Sequence, residues 1–341
     1  MMNLQKATKT ELVSLIEQCF SGDAQEVFAE ANEIKMQHFG EKVYIRGLVE
    51  ITNYCRNNCF YCGIRASNQN VKRYRLETAK ILECCKSGYE LGFRTFVLQG
   101  GEDAYYTDEY LGGIIRELKK RYPDAAVTLS LGEKSYESYK RLFEAGADRY
   151  LLRHETASED HYQKLHPQEL SFSNRQESLL ALKAIGYQTG AGFMVGSPGQ
   201  RIENLAEDLL FLRELKPQMV GIGPFIPHQD TRFAKMAAGD LHQTLCMLAL
   251  TRILLPTALL PSTTALGTIA KDGMEQGLLA GGNVIMPNLS PKQFRKDYSL
   301  YDGKVHDSSE VAERLEALAK RLKIIDLKMD MSRGDYKEKI L

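Results

Sequence analysis

The chain has 341 residues, 43% of them hydrophobic, enough to bury a sizeable core. Its 44 Lys and Arg balance 44 Asp and Glu and no basic tract stands out, so binding nucleic acid by phosphate neutralisation is disfavoured. Residues 1–20 hold no signal-peptide core, and no run approaches the roughly 18 apolar residues of a membrane span, so a soluble cytoplasmic protein without a membrane partner is expected.

Residues 8–40 read as helical, with Leu12, Leu15 and Ile16 before the Gly22 break and Val27, Ala31 and Ile34 after it. From there a strand-then-helix pattern repeats. Strands are predicted over 43–51, 95–99, 126–131, 149–155, 188–195, 219–225, 262–265 and 283–287, and amphipathic helices over 78–92, 106–122, 135–145 and 202–215. Alternating strands and helices mean a parallel sheet, and eight strands suit a closed (β/α)8 TIM-type barrel. A doubly wound open sheet is the alternative. Residues 307–325 are predicted as one helix, capped by Asp307 with Glu310 and striped by Val311, Leu315, Leu318, Leu322 and Ile325. The last dozen residues are polar and expected to be loose. This divides the chain into an N-terminal helical extension (1–40), a barrel (41–290) and a C-terminal segment packed on it (291–341).

Polar or glycine-rich stretches end nearly every predicted strand, at 99–103, 132–133, 153–156, 196–199, 224–230 and 263–268. In a barrel those ends converge on one mouth, where active sites lie.

The seven cysteines are odd in number and unevenly spaced, so no disulfide framework is expected. Cys55, Cys59 and Cys62 crowd into ITNYCRNNCFYCGIR as C-x3-C-x2-C after the first barrel strand. Fe–S clusters normally use four cysteines. Three on a short loop can each ligate one iron of a 4Fe–4S cube and leave the fourth open to an exogenous chelator. The alternatives are a zinc site or unrelated buried cysteines. Zinc usually takes four Cys or His ligands in paired form; no second pair exists here, and the next histidine is His154.

With Tyr61 before the third cysteine, C-x3-C-x-aromatic-C resembles the radical S-adenosylmethionine (SAM) signature. From about residue 40 to 304 the chain also resembles the HydE family, radical SAM maturases of FeFe-hydrogenase. The resemblance rests on successive blocks: RGLVEITNYCRNNCFYCGIR, KRYR, VLQGGEDAYY, VTLSLGE, DRYLLRHET, GYQTGAGFMVGSPGQ, MVGIGPFIPHQDT, ALTRILLP, TTALGT and GGNVIMPN. Biotin and methylornithine synthases look like more distant relatives. The resemblance implies one 4Fe–4S cluster, SAM as co-substrate, a reduced flavodoxin or ferredoxin-type donor, and other hydrogenase maturases as partners. It implies reductive cleavage of SAM to methionine and a 5′-deoxyadenosyl radical. The radical would act on an iron–cysteine carbonyl/cyanide synthon on the way to the diiron precursor.

The same resemblance assigns residues. Gly100, Gly101 and Glu102 match a block that binds the methionine amino group of SAM; by themselves they are an ordinary strand-to-helix turn, although glycines do let a backbone approach a ligand. Alternation along a strand lets Arg153 and Glu155 share the barrel interior. A structural ion pair is the plain reading; the resemblance implies that Glu155 contacts SAM and Arg153 faces the substrate. Arg175 matches an arginine on the SAM carboxylate, which a planar guanidinium suits. Met194 would be core by itself and lies near SAM by resemblance. Thr263 and Thr264, predicted at a strand end, are either hydrogen-bonders of that end or hydroxyls for a carboxylate or cluster ligand; the resemblance has them hold substrate with Arg153. Gln99, Ser130, Tyr298 and Tyr301 are further pocket candidates. His228 is placed to titrate near neutral pH, or simply to hydrogen-bond in its loop.

Some HydE proteins carry three more cysteines near the C-terminus. Here His306 stands where the first would be and no cysteine follows Cys246, so no second Fe–S cluster is expected. That departure leaves room for a radical SAM synthase of an amino acid or vitamin precursor, like methylornithine or biotin synthase. A non-catalytic Fe–S carrier or scaffold is a rival of another class, which would need no SAM pocket.

Overall fold

The computed structural model describes residues 3–22, 24–304 and 309–338. Helices Lys9–Phe20 and Gln25–Phe39 come first. Thr8 caps the first, exchanging hydrogen bonds with Glu11, and Leu12, Ile16 and Cys19 form its buried face. Both pack outside the barrel on helices Ile202–Leu215 and Leu241–Leu254.

The strands are β1 (Lys42–Ile45), β2 (Gly47–Thr52), β3 (Thr95–Gly100), β4 (Ala126–Ser130), β5 (Arg149–Leu151), β6 (Gln188–Ala191), β7 (Met194–Val195), β8 (Met219–Val220), β9 (Gly223–Pro224), β10 (Val284–Ile285) and β11 (Lys328–Asp330). All their pairings are parallel. β2, β3, β4, β5, β6 and β8 form one sheet, and β1 lies between β10 and β11. Residues 259–261 close the ring: Leu259 bridges to Met219 and Pro261 to Val284, while Asn288 bridges to Leu48. The result is the eight-position barrel expected from the alternation. β2 is buried on every residue, as a barrel strand covered on both faces should be.

Four local expectations are corrected. The predicted strand 262–265 is not one: the ladder is completed earlier by 259–261, and Thr263 instead caps helix Thr264–Ile269. The β-branched pair misled because extended φ and ψ (−73°, 153°) serve a helix N-cap as well as a strand. The strand 149–155 ends at Leu151, beyond which Glu155 turns at φ 66°. The final helix is Val311–Ile324, capped by Glu310 with Glu313; Asp307, like His306, lies outside the described residues. Finally, residues 332–336 are not loose. They plug the N-terminal end of the barrel, where the Arg333 carbonyl accepts from Thr95 (2.9 Å) and Arg149 (2.7 Å) and Asp335 takes Arg149 (2.7 Å) and Gln188 (3.0 Å).

Candidate active site at the barrel mouth

The cysteine loop leaves the end of β2 and is folded by Arg73. That guanidinium donates to the carbonyls of Asn53, Ile64 (2.8 Å), Arg65 (2.6 Å) and Asn68 (3.0 Å), gathering both ends of the loop around one planar cation. Asn53 adds bonds to the carbonyls of Lys72 (2.9 Å) and Asp297 (2.6 Å). The end of β3 presses against the loop: the Glu102 carbonyl accepts from Arg56 N–H at 2.9 Å, and a Cβ on Gly101 would stand 2.2 Å from the Tyr54 carbonyl oxygen and 2.6 Å from Cys55 Cβ. Only glycine fits there.

Burial raises all three thiols. It pushes Cys62 up to about 12, with the Cys55 charge adding to the effect, and it raises Cys59, where Cys62 and then Cys55 add while Arg175 opposes. Cys55 is raised mainly by burial. Three neighbouring thiols of this kind do not ionise together without a cation, and coordinated iron supplies one. Three cysteines, each able to take a different iron, form a donor set that fits a 4Fe–4S cube with one open iron, whereas structural zinc takes four ligands.

Around the loop the structure brings several candidates together. Arg153 Nη2 lies 3.3 Å from Glu155 Oε2 but out of hydrogen-bonding alignment, and both atoms are buried without hydrogen-bond partners, as are Arg153 Nε and Thr263 Oγ1. Arg175 is buried and binds the Glu133 carboxylate through Nε and the Arg153 carbonyl through Nη1 (2.9 Å). Tyr61 meets His166 Nε2 at 3.2 Å and packs with Met194, Leu165 and Phe225. Gln99 donates to Tyr298 Oη at 3.3 Å, and Ser130 sits opposite Gln99 in the β3–β4 register. Burial pushes Tyr301 up to about 12, and it bonds Thr268.

Other candidates are placed differently. Gly100 and Gly101 meet the loop by backbone, but the Glu102 carboxylate turns outward to Arg56 Nε (2.9 Å) and Glu133 N–H (2.8 Å). There it lines a rim cavity of about 420 Å³ with Lys134 and Asp108. Thr264 is exposed on the first turn of its helix. His228 accepts from Asp230 N–H (3.1 Å) and its ring lies against Gly63, where a Cβ would come within 2.3 Å; it braces the loop.

Sequence reasoning missed Arg73, Glu133, Glu50 and Lys304. Arg73 and Glu133 stood in quoted blocks, KRYR and VTLSLGE, without a role. The Glu50–Lys304 pair left no local signal, its members being far apart in the chain.

A three-thiol loop leaves one iron of a cubane for an organic ligand, and the barrel mouth gives that ligand a walled place to bind; proteins built this way are the radical SAM enzymes, which cleave SAM. The sequence model described as the radical SAM superfamily matches residues 49–212, from β2 into the last turn of helix Ile202–Leu215. The chain is 51% identical over 284 residues to the FeFe-hydrogenase maturase subunit HydE of Thermotoga maritima, spanning 83% of this chain and 81% of that one. It belongs to the HydE family. Among solved structures, methylornithine synthase (PylB) superposes with a TM-score of 0.82 at 24% identity over 96% of both chains. The maturase HydG of Carboxydothermus hydrogenoformans superposes at 0.78 and 20% identity over 96% of this chain and 78% of its own. At those identities the likenesses concern the fold. Among the described residues no helix is long and apolar enough to cross a membrane.

Proposed function

We propose that Cys55, Cys59 and Cys62 hold one 4Fe–4S cluster, that SAM binds against it, and that the enzyme serves FeFe-hydrogenase maturation. One observation supports this: Arg153 Nε and Nη2, Glu155 Oε2 and Thr263 Oγ1 are buried without hydrogen-bond partners, and Glu155 is near enough to Cys59 and Cys62 to act on their thiols. Buried polar atoms left unpaired are destabilising, and a polar ligand relieves that. When bound, the reduced cluster supplies the electron that splits SAM into methionine and a 5′-deoxyadenosyl radical. The backbone of Gly100–Glu102 takes the SAM amino group, a reading supported by its contact with the cysteine loop. Arg175 presents a planar fork to the carboxylate, and Glu155 the polar contact beside it. Ser130, Met194, Tyr298 and Tyr301 wall the pocket. Arg153 and Thr263 orient the substrate, an iron–cysteine carbonyl/cyanide complex, and the closed barrel keeps water out. No second Fe–S cluster is proposed, since no cysteine follows Cys246. A reduced flavodoxin or ferredoxin-type donor and the other hydrogenase maturases are its partners, in the cytoplasm.

Anaerobic reconstitution with iron and sulfide, then EPR with and without SAM, tests the proposal. About four irons per chain are expected, with a signal that changes on adding SAM and 5′-deoxyadenosine as product. A signal indifferent to SAM identifies a carrier, and no cluster rejects the site. Label moving from an amino-acid substrate into 5′-deoxyadenosine would identify a synthase.

A further inference from the structure

Behind the mouth, on the outer side of the turn after β5, lies a histidine–carboxylate pair. The His154 ring is fully enclosed between Phe193 and Phe211. Its Nδ1 accepts from Gly192 N–H at 3.2 Å, which leaves the proton on Nε2; that atom lies 3.3 Å from Asp208 Oδ1 but out of hydrogen-bonding alignment. That Asp208 oxygen accepts from Ala157 N–H at 2.5 Å. Asp208 belongs to helix Ile202–Leu215 and is fully buried, with Oδ2 unpaired.

The two side chains therefore grip the turn 154–157 from both ends. Inside the grip Glu155 sits at φ 66°, a conformation rare for a residue with a side chain. Glu155 N–H bonds the Gly192 carbonyl at 3.0 Å, so His154 and Glu155 both engage Gly192. A left-handed non-glycine residue persists only where its surroundings over-determine it. Packing alone would be better served by apolar side chains than by a buried carboxylate facing a neutral imidazole. Burial pushes His154 down to about 3 and raises Asp208.

We infer that His154 and Asp208 are positioning residues: they hold the left-handed turn that aims Glu155 and Arg153 at the SAM and substrate pocket. The inference rests on the proposed role of Glu155, and the test separates the two. In reconstituted holoenzyme, Asp208→Leu fills the site but cannot hold Ala157 N–H, whereas Asp208→Asn keeps the acceptor. The SAM dissociation constant, read by equilibrium dialysis, should rise about tenfold in Asp208→Leu, the scale on which orienting partners act. It should stay within about twofold in Asp208→Asn, with iron content equal in both. His154→Phe, which fits the aromatic slot and loses the Gly192 bond, should repeat the weakening and stands in if Asp208→Leu does not fold. Parent-like SAM binding in the folded Leu or Phe variant, or equal loss in Asp208→Asn, overturns the inference. Glu155→Ala is the control: if it binds SAM like the parent, the reading of Glu155 fails instead.

Discussion

The Lys304 ammonium lies 2.5 Å from the Glu50 carboxylate inside the barrel, with Glu50 fully buried and the lysine side chain 9% exposed. Lys304 also donates to the Tyr298 carbonyl (2.8 Å), and Asn288 completes Glu50 (2.8 Å). The pair anchors residues 297–304 across the mouth, where the Leu300 carbonyl takes Gly63 N–H next to Cys62. Removing one partner leaves a buried charge. Lys304→Met is expected to lower stability by about 3 kcal/mol, read by denaturant melting, and the double variant Lys304→Met/Glu50→Leu should recover most of it.

Gly101 is where the strand end touches the cluster loop. Gly101→Ala puts a Cβ into the Tyr54 carbonyl and the Cys55 side chain, so the loop must shift. Iron retained after reconstitution should fall several-fold, with little change in the far-ultraviolet circular dichroism of the barrel. Full iron content with unchanged EPR would contradict the contact.

Arg175 spans Glu133 and the Arg153 carbonyl with one guanidinium. A lysine ammonium lacks the planar fork that reaches these two acceptors from Nε and Nη1. Arg175→Lys is expected to weaken SAM binding about tenfold or more, measured by dialysis on the reconstituted enzyme, while the iron content holds.

Acid should loosen the plug at the other end of the barrel. Burial alone would raise the Asp335 carboxyl, but hydrogen bonds from Arg333 and Arg149 hold it well below its ordinary value. A depressed carboxyl stabilises the fold above its unfolded pKa, about 3.9, and that contribution is lost as pH falls toward the folded value. Asp335→Asn should therefore melt below the parent at pH 7, and the gap in Tm should narrow as pH drops from about 5 to 2. A gap that is constant across this range would show that Asp335 does not carry the effect.

Much of this protein is decided locally. Alternation of β-branched runs with amphipathic stretches specifies a parallel sheet, because each strand and helix must bury its own apolar face, and a count of eight strands suits a barrel. The cluster loop is equally local: Cys55, Cys59 and Cys62 lie within eight residues, and covalent spacing alone keeps them together. Tertiary structure decided the rest. Arg73 shows the boundary, since KRYR is visible in the chain but the four carbonyls that it gathers become neighbours only when the loop folds. The closing strand 259–261, the tail around Asp335, the Glu50–Lys304 anchor and the Asp208 grip on the Glu155 turn join residues from about 25 to more than 250 positions apart. No periodicity encodes such pairs. They follow from the ring having closed, which leaves each buried polar group to be satisfied by whatever the closed barrel brings beside it.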